Sequence, residues 1–447
     1  MGQNTSVEVD SKTDRRHGFN STEFATLQQR LSVSEGSRVE LADFVACFPA
    51  CLRSFVQPLF CYLGKERVGE GSVDSEKFLK GLARAIKSGL TWKELLEVWA
   101  DHHHGEEGDG PISHSKQGPA PELELSLELA VSLCVWSAFA DQTESKLTPD
   151  VAVAALMSGA RMDDLKSLAS WLEGGLPMLP SAVGLCLAHS LTGAVSPAIP
   201  ELKSRILEAG THLLLRSCTA RLWESDEWMP LYRDWCDGRS FNALLKGALY
   251  YEGPALVLLQ TEQGHVLGAL STVWSDNNGK FAGSTECWLF ALQPAFTVCK
   301  STSTSGNYVY LNSRNKYAPR GLGFGGQQGF FRLWIDADFE ECYVLESDAT
   351  YSSGLLHPSS GSLQISFQVA AIEVWGCGGI EAAKAQKMQR ERVEGVREQA
   401  RKVDKARLCD NDFDKEMFLT NTFSATAGSR EAADTKEVEQ SVNPEDS

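Results

Sequence analysis

The sequence predicts an α+β chain, with helices in its first half, a strand-rich segment after them and a long charged helix near its end. Three observations predict this. Apolar residues recur at helical spacing from Ser21 to Trp99 and again over 122–220. Beyond about residue 255 the pattern changes to short apolar runs bounded by Gly, Asn and Asp. From Gly379 to Arg407, strong helix formers carry nine Lys/Arg against five Asp/Glu.

At 447 residues the chain exceeds one typical core, and two or three domains are expected. A hydrophobic content of 43% and a charged content of 23% are ordinary for a globular protein. The formal charge of −17 argues against general nucleic-acid binding, because phosphate contacts need basic surface. Twelve cysteines show no Cys-x-x-Cys spacing, which leaves neither a zinc knuckle nor a disulfide scaffold and suggests reduced, buried thiols. The most apolar run, Leu129 to Ala140, includes Ser132 and Ser137 and falls short of a bilayer span, so a buried helix is expected there. The N-terminal residues contain no apolar signal core, and no secretory leader is expected.

Residues 1–20 read as a flexible leader. Met1-Gly2-Gln3-Asn4-Thr5-Ser6 fits the N-myristoylation pattern, with Gly2 as the acceptor and Ser6 at the hydroxyl position. One acyl chain binds membranes only marginally. Lys12, Arg15 and Arg16 are offset by Glu8, Asp10 and Asp14, and no cysteine precedes Cys47 to take a second lipid. The expectation is a cytoplasmic protein attached reversibly to membrane, with a membrane-bound partner adding affinity.

Over 21–100, Leu27 and Leu31, then Leu41, Phe44, Val45 and Phe48, then Phe78, Leu79, Leu82 and Ile86 mark helices. Two pieces resemble decayed EF-hands. In the better one, Gly71 holds the sharp-turn position and Val73 the apolar one, but Glu66, Val68, Glu70 and Lys77 stand at the first, third, fifth and twelfth ligand positions. A lysine where calcium needs a bidentate carboxylate makes binding unexpected. The earlier piece, Ser32 to Asp43, has Ser32, Ser34 and Gly36 at ligand positions.

Residues 101–121 read as a solvated linker, where adjacent His102, His103 and His104 cannot converge on a metal unaided. Over 122–212 helices resume: Leu123, Leu127, Ala130, Val131, Cys134 and Val135 share one face. Val151 to Met157 and Leu165 to Leu172 supply two more, and Gly174 to Pro177 a turn. Strands are expected at Ala255–Gln260, His265–Thr272, Cys287–Gln293, Tyr308–Leu311, Phe330–Asp336 and Leu363–Trp375, with a turn at Asp276 to Gly279.

Gly321-Leu322-Gly323-Phe324-Gly325-Gly326 tempts a nucleotide-loop reading. A phosphate cradle needs a helix immediately after it, and here an aromatic run, Phe330 to Ile335, follows instead. The glycines are therefore read as structural, for close backbone packing or positive φ at a bulge or bend. Helix 379–407 carries a thin apolar stripe of Met388, Val393, Val396, Ala400 and Val403 among basic residues such as Arg397 and Arg401. That stripe is too thin to order a lone helix, so it needs the domain's surface or a partner's groove. Residues 408–447 read as an acidic disordered tail, with ten Asp/Glu against three Lys/Arg from Asp410 onward.

No nucleophile elbow, zinc-protease or Walker motif occurs. Glu286 beside Cys287 is a poor nucleophile pair, since an adjacent carboxylate raises a thiol pKa and strand alternation separates the two faces. His265 and His357 have no spacing that pairs either with a cysteine. No catalytic residue, cofactor, metal or small-molecule substrate is expected.

Seven ordered pieces over about 150 residues resemble the TLDc domain family. They are Leu231-Tyr232 with Gly238-Arg239-Ser240-Phe241; Gly253 to Leu259; His265 to Ala269; Phe281 to Phe290; the glycine run; Phe331, Leu333 and Trp334; and Ile372 to Gly376. The domain is placed at 213–376. Gly238, Gly253, Gly268, Glu286, Phe290, Gly323, Gly325, Gly326, Trp334, Glu373, Trp375 and Gly376 are read as its structural positions. The resemblance implies two packed antiparallel sheets edged by helices. With Gly2, the helical front and the charged helix, the chain resembles the lysosomal, mTOR-associated branch of the family and its vacuolar counterparts in fungi. That implies a non-enzymatic adaptor binding peripheral subunits of the vacuolar proton-pumping ATPase, with links to TOR signalling and oxidative-stress resistance. The alternative is a stress-protective enzyme or redox-reactive cysteine protein.

Overall fold

Asn20 opens the first helix by a reciprocal cap: its side chain accepts from the Glu23 N–H at 2.8 Å, and the Glu23 carboxylate accepts from the Asn20 N–H at 2.9 Å. The computed structural model describes residues 17–34, 36–66, 71–104, 121–138, 154–157, 164–194, 202–225, 227–276, 279–358 and 362–410. Gly2 and its leader, Val68 and Glu70 of the calcium-type loop, most of the linker, Val151 and the acidic tail past Asp410 lie outside the described residues.

The front half comprises α1 (Ser21–Leu31), β1 (Arg38–Glu40), α2 (Leu41–Ala46), α3 (Arg53–Gly64), β2 (Ser72–Asp74), α4 (Ser75–Ser88) and α5 (Trp92–His104). Strands β1 and β2 tie the two helix–loop–helix pieces together, with Val39 directly opposite Val73 and both fully buried. Phe44, Phe60 and Phe78 pack beneath them at centroid separations of 5.2–5.5 Å. Helix α5 continues through His104, so the three histidines form its last turn and not the start of a linker. Trp92, Leu95, Leu96 and Val98 bury its apolar face, and the first glycine or proline in the sequence after Trp92 is Gly105.

Helix α6 (Pro121–Ala138) buries Leu127, Ala130, Val131, Leu133, Cys134 and Val135, which surround more of its circumference than one face. It is followed by α7 (Leu165–Gly175), α8 (Ser181–Thr192), α9 (Ala209–Ser217) and α10 (Ala220–Trp223). Among the described residues no helix is long and apolar enough to cross a membrane.

Two six-stranded antiparallel sheets follow. The first has the order β3 (Met229–Arg233), β14 (Val369–Gly376), β4 (Ala255–Thr261), β5 (Val266–Ser271), β7 (Trp288–Gln293), β8 (Thr297–Lys300). The second runs β13 (Gln364–Phe367), β12 (Cys342–Leu345), β11 (Leu333–Asp336), β10 (Gly321–Phe324), β9 (Val309–Asn312), β6 (Phe281–Ala282). Helices α11 (Asp234–Asp237) and α12 (Phe241–Ala248) follow β3.

Alternation along the strands sorts two cores. Val257, Leu259, Leu267, Ala269, Leu289 and Ala291 of the first sheet meet Leu311, Leu322, Phe324, Leu333 and Ile335 of the second. Leu256, Leu258, Leu270, Trp288, Phe290 and Trp375 point the other way and share a core with the helical front. The chain divides after Ala383 into two units, and helix α13 (Gly379–Asp410) contributes Ala382 to the inter-sheet core before that division.

Three strand expectations are corrected. The glycine run is itself strand β10, because Leu322 and Phe324 provide an inward alternating face. The run expected as one strand from Phe330 to Asp336 is shorter: β11 starts at Leu333, and Phe330 is 61% exposed in a turn with Gln327. Leu363 to Trp375 is two strands in two different sheets. The break falls at Gln368, whose carbonyl accepts from the Glu262 N–H as the chain crosses between layers.

Candidate functional site

Of the motif residues, Glu373 and Trp375 meet in one cluster, with Glu373 fully buried on β14. Four neutral donors converge on its carboxylate. Ser204 Oγ donates at 2.6 Å, the Arg205 N–H at 2.8 Å, Trp375 Nε1 at 2.8 Å and Trp235 Nε1 at 3.3 Å. A buried carboxylate survives only when its lone pairs are filled this way. The Arg205 and Arg233 guanidinium groups stack on Trp235 at 4.3 and 4.9 Å, placing positive charge beside it. Trp375 is 2% exposed, so its role is to fill the core and hold Glu373.

Glycines in this region mark close approaches. A Cβ at Gly268 would collide with the Val257 carbonyl and lie 2.8 Å from the Phe290 ring, so β5 can sit between those two neighbours only without a side chain. Gly376 and Gly253 pack against the Tyr251 ring, and the Tyr251 hydroxyl accepts from the Gly378 N–H at 2.8 Å. Gly238 has φ +84, a conformation L side chains rarely adopt.

On the outer face of the second sheet, Gly321 and Gly323 are roofed by aromatic rings. Trp334 is the cross-strand partner of Gly323, and Trp334 and Phe331 stack at 4.6 Å with 12° between planes. The Phe331 ring would stand 2.5 Å from a Cβ at Gly323, and the Trp334 ring 2.8 Å from one at Gly321. Trp334 therefore belongs to a separate outer cluster with Tyr310 and Phe331 and not to the inter-sheet core. Gly325 and Gly326 take φ +68 and +67 in the turn that follows β10, where Asp348 accepts from the Gly326 N–H at 2.9 Å. This geometry packs the glycines against side chains and backbone of the domain itself.

Residues 201–378 match the family model described as the TLDc domain. That segment is a TLDc domain. The MTOR-associated protein MEAK7 of Danio rerio is 29% identical over 253 residues, or 54% of this chain and 53% of that protein. The Homo sapiens protein of the same name is 33% identical over 153 residues, covering 34% of this chain and 32% of its own length. Oxidation resistance protein 1 of Rattus norvegicus is 26% identical over 148 residues, 33% of this chain and 16% of that protein. The chain thus spans about half, or less, of the length of these curated relatives.

The TLDc match starts twelve residues before Leu213, and the Glu373 cluster explains why, since Ser204 and Arg205 supply two of its four donors. Glu286 lies outside that cluster, 62% exposed and ion-paired with Arg221 at 3.2 Å. Its neighbour Cys287 is buried behind Thr272, 3.5 Å from that hydroxyl. Phe290 fills the space above Gly268.

The two histidines that spacing left unpaired meet each other: His265 Nδ1 lies 3.0 Å from His357 Nε2. Burial, and then the neighbouring His265, lower the His357 pKa. The ten cysteines whose side chains are described are free thiols, and only Cys236 among them is exposed. Burial pushes Cys218 up to about 12 and Cys342 to about 11, and raises Cys47, Cys134, Cys299 and Cys377 as well. Thiols held protonated in this way are poor nucleophiles.

Helix α13 differs from everything before it. Met388 is 56% and Val396 65% exposed, Val393 is half-buried, and Arg397 and Arg401 are exposed; Val403 lies farther along the same helix.

Proposed function

We propose that this chain is a non-enzymatic TLDc adaptor that regulates the vacuolar proton-pumping ATPase from the cytoplasmic face of lysosomal or vacuolar membranes. A link to TOR signalling and oxidative-stress resistance is part of the reading, supported by the names of its relatives. The observation that carries it is helix α13, whose apolar stripe of Met388, Val393 and Val396 is largely exposed amid basic side chains. A partner groove with an acidic rim would bury that stripe and match Arg397 and Arg401. The TLDc site itself supports binding over catalysis, since the polar groups around Glu373 bond to one another.

The front helices are read as an EF-hand-like pair that has lost calcium. The Val39–Val73 ladder supports this, as does Lys77 Nζ lying 3.2 Å from Glu66 where a cation would be bridged. Reversible membrane attachment through myristoylated Gly2 completes the reading, and the mass of the N-terminal peptide checks it.

Affinity capture of the full chain from membranes tests the docking role. The double variant Arg397→Glu/Arg401→Glu should lose peripheral ATPase subunits while keeping its melting temperature, and rising salt should weaken capture by the unmodified chain. Full-strength, salt-insensitive capture by the variant would refute it.

A further inference from the structure

His265 closes the tight turn between β4 and β5 of the first sheet, where its carbonyl accepts from the Thr261 N–H at 2.9 Å. His357 lies in the connection from β12 to β13 of the second sheet. The two rings meet edge-on, with 81° between planes, 4.6 Å between centroids and 3.0 Å from His265 Nδ1 to His357 Nε2. One sheet's turn is thereby tied to the other sheet's connection. His357 is 8% exposed and His265 half-buried, so water and protons reach the pair through His265.

Two neutral imidazoles can hold such a contact, one ring N–H donating to the other's lone pair. One added proton keeps it, because an imidazolium still donates to a neutral imidazole, and the charge strengthens the bond. A second added proton leaves N–H facing N–H with no acceptor between them, and sets two positive charges at contact distance. We propose that the pair is a pH-sensitive clamp between the sheets, closed while at least one ring is neutral and open when both are protonated.

The opening is local. The segment carrying His357 stays anchored where the Gly354 carbonyl accepts from buried Arg332, and at Leu356, whose side chain lies in the inter-sheet core. The turn keeps a tie of its own, the Glu262 N–H donating to the Gln368 carbonyl at 3.1 Å. His357 also borders a small cavity with Val344 and Ile365, so its segment is loosely backed. Charged groups on the elements packed here are Glu262 in the turn, Glu346 and Asp348 ahead of the segment, and Arg332. Asp348 accepts from the Gly326 and Thr350 amides, and Glu262 and Glu346 are exposed, where solvent screens them. Burial and the neighbouring ring hold His357 below its ordinary 6.5, so the closed form resists a proton that a solvated His357 accepts. Opening is therefore favoured as pH falls below 6.5.

The ring-proton NMR signals of the two histidines, assigned by their absence from His265→Gln and His357→Gln, test the clamp in the full chain. They should titrate in two steps more than about one unit apart, as coupled sites do, with each signal moving during the other's step. A double-mutant cycle reads the contact itself, through urea unfolding of the unmodified chain, both single variants and the double variant at about pH 7 and about pH 5. The coupling between the two positions should change the unfolding constant by about fivefold or more at neutral pH, and vanish or reverse on acidification. Two independent, overlapping titrations, or a coupling that is the same at both pH values, would overturn the proposal. Should one variant fail to fold, the two-step titration of the unmodified chain, assigned through the other variant, still decides.

Discussion

Acidification should destabilise this protein through one buried imidazole. His212 on α9 is 2% exposed, packs edge-on against Trp228 at 4.5 Å, and has no partner for Nε2. Desolvation, and then the positive charge of Arg216, push its pKa from 6.5 down to about 3. Because the folded-state pKa is depressed, the unfolded chain takes up a proton below 6.5 while the folded chain does not. Stability therefore falls as pH drops through the window from 6.5 to about 3. Each unit in that window is worth about 1.4 kcal/mol, so moving from about pH 7 to about pH 5 should remove about 2 kcal/mol. Urea unfolding of the full chain and of His212→Leu, each at both pH values, isolates this contribution, since carboxylates and other histidines cancel in the difference. The unmodified chain should lose about 2 kcal/mol more than the variant. Parallel losses, agreeing within about 0.5 kcal/mol, would refute the assignment of a neutral, proton-excluding His212.

Two further outcomes follow from the TLDc geometry. Trp375→Phe keeps an aromatic ring but removes the Nε1–H that Glu373 accepts along with part of the buried indole, and chemical denaturation should show a loss of at least about 1.5 to 3 kcal/mol, the range for a hydrogen bond to a charged group. Trp334→Ala should cost about 3 to 5 kcal/mol by uncovering Gly321 and Gly323; an unaltered melting temperature would show that the outer aromatic cluster contributes nothing to folding.

Periodic segments were the most legible in the sequence. Leu27 and Leu31, or Phe78, Leu79 and Leu82, announce helices because a 3.6-residue repeat of bulky apolar side chains has few other uses, and all five are buried. Ala255 to Gln260 and Cys287 to Gln293 mark β4 and β7 closely for the matching reason in strands. Strand β10 was illegible as a strand because glycine carries low strand propensity, and what covers it comes from Trp334 on the next strand and Phe331 just before it. Strand β12, Cys342 to Leu345, was missed as well. The site was partly legible. Glu373 and Trp375 stand in the motif itself, whereas Ser204 and Arg205 lie 169 and 168 residues away in sequence and carry no local pattern. The His265–His357 contact spans 92 residues and was invisible for the same reason.

The Glu373 cluster also sets where this protein can be cut. A fragment beginning at Leu213 keeps every strand of both sheets and every indole around the carboxylate. It lacks the Ser204 hydroxyl and the Arg205 amide, and the Arg205 guanidinium leaves Trp235 with them. A buried carboxylate with half its donors gone must draw water into the end of β14. The smallest autonomous piece therefore has an N-terminal limit set by two residues that belong to no helix or strand. A protease nicking just after Arg205 would unsettle the sheet without touching it.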